Sequence, residues 1–272
     1  MKQTCSWGVA LVWLCAPLLG QSAQSLVLPH VVDGGGWRST IVLTNFTGSV
    51  AAATLVFHQD KSGGGSDPWN LPFLEASSLG ATSVPAGASV FFHTRGTAAN
   101  LTQGWAEIQA DNGIVAYIIF TNIVSGRPDQ DSTALAVSAA SRILVPFDNA
   151  SGNVAAIAIV NPTAGPESIF VTFRSSTGQA TTGALPTLPP LGHAAFVLPQ
   201  QFQGLNGQTG LAEFYSSTGN FSIIALRFNA TLSSTAAPVY FQSGPPVIYD
   251  PGTTYPPGYY YSTPSQAAQP KQ

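Results

Sequence analysis

The chain repeats itself. Residues 40–57, TIVLTNFTGSVAAATLVF, align without a gap on residues 156–173, AIAIVNPTAGPESIFVTF, so Asn45 falls on Asn161, Thr47 on Thr163 and Phe57 on Phe173. Leu28 and Pro29 match Val145 and Pro146, the run from Pro85 matches that from Pro190, and GWAEIQADNGIVAYIIF from Gly104 matches GLAEFYSSTGNFSIIALRF from Gly210. STALAV from Ser132 also answers STAAPV from Ser234. Matching blocks in one order imply two copies of a single unit of about 105 residues, spanning 26–138 and 142–242.

Each copy reads as β structure. Short runs rich in Val, Ile, Phe and Thr are separated by Gly, Pro, Asn and Ser clusters, and no window offers a convincing helix. About seven such runs per copy predict an all-β chain of two tandem antiparallel immunoglobulin-like β-sandwich domains, with jelly-roll or small-barrel topologies as alternatives. In the run 222–228, Ile224, Leu226 and Phe228 are expected to pack while Arg227 faces outward. Aligning Ile119 with Arg227 makes the first copy's strand apolar on both faces, a surface for the other domain or a local loop to cover. The glycines of DGGGW, residues 33–37, lie opposite NASGNV, residues 149–154, and read as a hairpin or bulge device.

The ends of the chain set its compartment. Lys2, an apolar run from Gly8 to Leu19 and then GQSAQS have the layout of a signal peptide over residues 1–25, with cleavage expected after Ser22 or Ser25. The apolar core is short of the about 20 residues that span a bilayer, so no transmembrane anchor is expected in the mature chain. Both cysteines, Cys5 and Cys15, fall in this segment, and Val12, Trp13 and Leu14 before Cys15 are bulkier than a lipidation site accepts. The mature chain therefore has no thiolate or sulfur metal site. A cysteine-free exported chain suits a bacterial periplasm, cell surface or medium. Five Asn-x-Ser/Thr sequons, at Asn45, Asn100, Asn149, Asn220 and Asn229, are expected by chance in a Ser/Thr-rich chain. Residues 243–272 turn to Pro, Tyr and Gly without strand alternation and read as a disordered or polyproline-like tail.

Without Lys2 there are 8 basic against 12 acidic residues, which excludes a nucleic-acid partner, since phosphate binding needs clustered Lys and Arg. Charged residues are 8% of the chain against about 25% in ordinary domains, the surface style of extracellular β proteins.

The blocks LVLPHVVDGGGWRSTIVLTN and ILVPFDNASGNVAAIAIVNPTAG, with the PLGH turn, the GLAEF strand and the IIALRFN strand, resemble a loosely defined group of exported bacterial proteins with tandem sandwich repeats, frequent in Acidobacteria. The resemblance spans nearly all of both copies and implies export and fold. It carries no activity, cofactor or catalytic residue. The first copy departs from the pattern with Asn-Phe-Thr for Asn-Pro-Thr and Ile119 for the strand arginine.

GxSxG, HExxH, SxxK and the phosphate-binding loop are all missing, and the GxGxxG-like string from Gly34 fails at Ser39. No cofactor is expected. His30, His58, His93 and His193 lack metal-site spacing, although His30 and His93 have room to approach each other in a folded sandwich. Glu107 and Glu213 occupy equivalent positions and read as structural carboxylates. Asp129 and Asp131 form a weak Ca²⁺ candidate beside the default of a solvated turn. Trp37 and Trp105 face aliphatic counterparts, Val154 and Leu211, and so read as core or half-buried.

Trp69 lies in an insertion, KSGGGSDPWNLPFLEASSLG, that the second copy lacks, which makes Trp69, Asn70 and Phe73 the ligand-binding candidates. The leading expectation is a noncatalytic exported structural, adhesion or assembly protein whose partners are envelope components or glycans. The first alternative is a carbohydrate-binding module using the Trp69 loop. The second is a hydrolase in which two of Asp33, Asp60, Asp67, Glu75 and Glu107 converge.

Overall fold

The structure, a computed structural model, describes residues 23–62, 64–218 and 220–241. The expected tail and residues 1–22 of the expected signal peptide lie outside them. In the first half run β1 (Ala23–Asp33), β2 (Trp37–Asn45), β3 (Ala51–Asp60), β4 (Ser66–Pro68), β5 (Ala81–Val84), β6 (Ser89–His93), β7 (Thr102–Asp111), β8 (Ile114–Asn122) and β9 (Gln130–Leu135). The second half holds β10 (Arg142–Asp148), β11 (Val154–Val160), β12 (Phe170–Ser175), β13 (Ala180–Ala184), β14 (His193–Val197), a single helical turn α1 (Leu198–Gln201), β15 (Thr209–Tyr215), β16 (Ser222–Phe228), β17 (Ser234–Ala237) and β18 (Tyr240–Phe241). Strand β1 starts at Ala23, which pairs with Asp111, so residues 23–25 belong to the sheet.

All sheets are antiparallel. The first half stacks β1-β7-β3, with β4 and β5 on the free edge of β3, against β6-β2-β8-β9. The second half repeats this order as β18-β10-β15-β12-β13 and β14-β11-β16-β17. Period-2 alternation places the side chains: Ala51, Ala53, Leu55 and Phe57 of β3 point into the first core while Ala52, Thr54 and Val56 point away. A second core gathers Val145, Ile157, Val171, Phe173, Phe214 and Ile223.

Strand pairing corrects the alignment of the copies at three places by one residue each. Ser39 pairs with Phe120 where Ala155 pairs with Arg227, so the counterpart of Arg227 is Phe120 and that of Trp37 is Asn153. Asn45 bonds the Ala88 carbonyl where Asn161 bonds that of Gly192, which sets Gly87 (φ 64°) opposite Leu191 (φ 54°). Matching by residue identity had set Phe120 on Phe228, whereas the hydrogen-bond register follows the backbone. Arg227 lies by parity on the side of Ile223 and Ala225, at the sheet end, where it ion-pairs with Asp148 at 2.9 Å.

The shared Asn-x-Thr element is a buried staple. Asn45 Nδ2 donates to the carbonyls of Ser49 (2.7 Å), Val84 (3.0 Å) and Pro85 (3.2 Å), while its Oδ1 accepts from Thr47 N (2.9 Å) and Oγ1 (2.7 Å). Asn161 repeats the set with Gly165, Leu188, Pro189 and Thr163. Each staple ties the turn after β2 or β11 to the strand leaving the opposite sheet. Asn45→Ala or Asn161→Ala strands several buried backbone groups at once and is expected to cost about 2–3 kcal/mol in denaturant unfolding, with similar losses for the two variants.

Candidate functional site

The two halves meet face to face. Ile223 and Ala225 on one side of β16, with Phe221 just before it, enter the second core, while Ile224 and Leu226 on the other side join the first core together with Ala158 of β11. Beside them Trp105, fully buried, packs with Val27, Val160 and Leu191. Its Nε1 donates to the Leu191 carbonyl at 3.1 Å, and the same oxygen accepts from Ser66 Oγ at 2.7 Å. The other face of the Trp105 indole is stacked on His58, centroids 4.2 Å apart. His58 Nε2 lies 3.4 Å from Glu107 Oε1 without hydrogen-bond geometry, so this is a charge contact at most. In the second half Glu213 is instead buried between Arg142 and Arg174.

A polar chain crosses the same contact. Register slips by one residue between Leu28 and Val31, a β-bulge that β10 lacks, and His30 sits within it. His30 Nδ1 lies 3.2 Å from His193 Nε2, the rings stacked at 5.2 Å. His193 Nδ1 lies 2.9 and 3.0 Å from the two carboxylate oxygens of Asp60, which also accepts from Gln103 Nε2 at 3.0 Å. A carboxylate only accepts, so His193 Nδ1 carries the proton; in neutral His193, Nε2 is then the acceptor and His30 Nδ1 donates to it. In that state the chain ends at His30 Nε2, an acceptor with no hydrogen bond among the described residues. Burial above all, and then the nearby His193, push the His30 pKa down to about 3, so this imidazole is neutral at ordinary pH.

His30 and Gln103 form the polar end of a cavity of about 390 Å³ between the halves. Its walls include Trp37, Phe120, Ile157, Leu226 and Phe228. The glycine hairpin positions Trp37: Gly34 and Trp37 exchange both backbone hydrogen bonds at 3.0 Å around Gly35 and Gly36, whose φ values of 59° and 88° a side chain would strain. The equivalent turn in the second half carries Ser151 and Gly152 at φ 54° and 81°. No lining residue is a Ser, Cys or Lys able to act as nucleophile beside His30.

The residues singled out by sequence lie elsewhere. Phe73 is fully buried in the first core, 5.6 Å from Phe57 and 6.4 Å from Phe92, which removes it as a ligand contact. Trp69 is half-buried against the same core and Asn70 is exposed. Asp129 faces Arg38 at 3.5 Å and Asp131 accepts from Thr121 Oγ1 at 2.7 Å. His93 approaches Glu75 at 2.6 Å rather than His30; partial desolvation raises the Glu75 carboxyl, but the His93 hydrogen bonds outweigh it and hold it below its ordinary value. Each carboxylate named for a hydrolase meets a different partner: Asp33 accepts from Gly96 N, Asp60 lies against His193, Asp67 against Lys61, Glu75 against His93 and Glu107 near His58. The partnership of His30, His193 and Asp60 was missed, and its one sequence signal is the extra residue of the first copy at His30.

No protein-family model matches the chain, and no curated protein is similar to it in sequence.

Unfolded His30 takes up its proton near pH 6.5 and folded His30 near 3, so between these values the unfolded chain holds the extra proton. The stability tied to this site is complete above pH 6.5 and is lost as pH falls, by up to about 1.4 kcal/mol per pH unit. Denaturant unfolding at pH 7.5 and 4.5 is expected to show the wild type losing about 2–3 kcal/mol more than His30→Phe over that interval.

Proposed function

We propose that the protein is an exported, noncatalytic structural, adhesion or assembly module of two tandem immunoglobulin-like sandwiches, akin to the Acidobacteria-type exported proteins that its blocks resemble. The observation that carries this reading is the half-to-half contact sealed by buried Trp105 and its bond to Leu191. An apolar contact crossed by specific hydrogen bonds holds two units at a fixed angle, as a spacer or assembly part requires and as a flexible string of domains does not provide. The signal-like N-terminal stretch and the sparsely charged, Ser/Thr-rich surface support export.

A carbohydrate-binding reading is favoured by one further feature. Phe170 and Tyr215 are direct cross-strand partners with rings stacked at 5.6 Å and 26°, and Phe170 is 44% exposed. They sit on the outer face of the sheet that ends at the exposed Tyr240. An aromatic surface of this kind stacks on sugar rings, and it replaces the Trp69 loop as the place to look.

A pull-down of the mature chain against envelope fractions and a panel of glycans tests both. Retention by envelope material that survives Phe170→Ala and Trp69→Ala supports the assembly reading. Glycan binding lost in Phe170→Ala alone, by about tenfold or more, supports the second, and retention by neither probe counts against both.

A further inference from the structure

The cavity between the halves is built unlike a structural void. Its volume of about 390 Å³ lies at the small end of the range of about 300–1,000 Å³ typical of ligand sites. Its walls are apolar, from Trp37 and Phe120 on one half and Ile157, Leu226 and Phe228 on the other. Polar groups gather where Asp60, His193, Gln103 and His30 meet. Gln103 gives one of its two N–H groups to Asp60, and His30, with Nδ1 committed to His193, keeps Nε2 as an acceptor. His30 Nε2, unlike the sealed Nε2 of His58, is not among the buried polar atoms cut off from solvent.

We infer that this cavity binds a small uncharged apolar molecule bearing one hydroxyl or N–H donor, which bonds His30 Nε2 while its hydrocarbon body fills the space between the halves. The cavity rejects anions, because a carboxylate or phosphate would lose its hydration among apolar walls that hold no Lys or Arg. It rejects sugars as well, since His30, Gln103 and Gln200 offer too few partners for a ring of hydroxyls and desolvating each unpaired hydroxyl is costly. The Asp60–His193 pair positions His30 by fixing which of its nitrogens carries the proton. This inference is independent of the adhesion reading, because it concerns a cleft between the halves and not their outer faces.

The test is fluorescence titration of the full chain with 2-naphthol, 2-fluoronaphthalene and 2-naphthoate. 2-Naphthol is expected to bind about tenfold more tightly than 2-fluoronaphthalene, which matches its shape but has no donor, and 2-naphthoate is expected to bind more weakly than either. His30→Phe is expected to abolish the preference for naphthol and leave fluoronaphthalene binding within twofold. Ala156→Trp, which fills the cavity from a half-exposed position on β11, is expected to remove binding of both neutral probes with an unchanged thermal midpoint. Gln200→Trp at the exposed rim repeats that test should Ala156→Trp fail to fold. Absence of 2-naphthol binding, a naphthol preference that survives His30→Phe, or undiminished binding in a folded cavity-filling variant would each overturn the inference.

Discussion

Strand β16 has apolar side chains on both faces, and a sheet strand cannot leave both faces to water. Phe221, Ile223 and Ala225 belong to one core and Ile224 and Leu226 to another, so covering the second set means pressing the second half's four-stranded sheet onto the first half. Burying a side chain such as Ile224 is worth about 1.5–3 kcal/mol, a sizeable fraction of the stability of an ordinary domain. The cavity, the histidine chain and the seat of Trp105 all lie along this contact and depend on it.

The two copies agree where the backbone makes demands and differ where the halves meet. Asn45 and Asn161 cage the same carbonyls. A Cβ on Gly104 would overlap the His58 carbonyl oxygen, and one on Gly210 would overlap that of Arg174, so glycine is required at both positions. At the contact, the positions taken by Trp105, Phe120 and His193 in one half hold Leu211, Arg227 and Ser89 in the other. His30 has no equivalent, because it is the residue that the bulge adds. The asymmetry of a repeated unit thus marks the surface on which it is joined.

This division explains what could be read from residues alone. The β architecture, the glycine hairpin and the equivalence of Glu107 and Glu213 were legible because alternation, turn chemistry and repeat position are local properties. The site was not, since His30 and His193 stand 163 positions apart and Asp60 and His193 stand 133 apart. Neither pair occupies matching places in the two copies, so the repeat gave no hint of them. The insertion drew attention to Phe73 because loops carry function on many scaffolds, yet here the loop folds back and its aromatic side chain fills the first core. Residue identity misled the alignment at Trp37 and Arg227, where only hydrogen-bond register separates neighbouring matches.

The buried staple also bears on how the chain can be made. Asn45 and Asn149 both stand in Asn-x-Ser/Thr sequons, yet both side chains are buried and hydrogen-bonded to backbone, Asn45 to Val84 and Asn149 to Leu205 and Ala155. A eukaryotic secretory host modifies such asparagines as the chain emerges, before any fold can hide them. An oligosaccharide placed on Asn45 at that moment would occupy the room of the Val84 and Pro85 carbonyls, and the sandwich could not close over it. The side chain that holds the folded protein together is, in a glycosylating host, the one that stops it from folding.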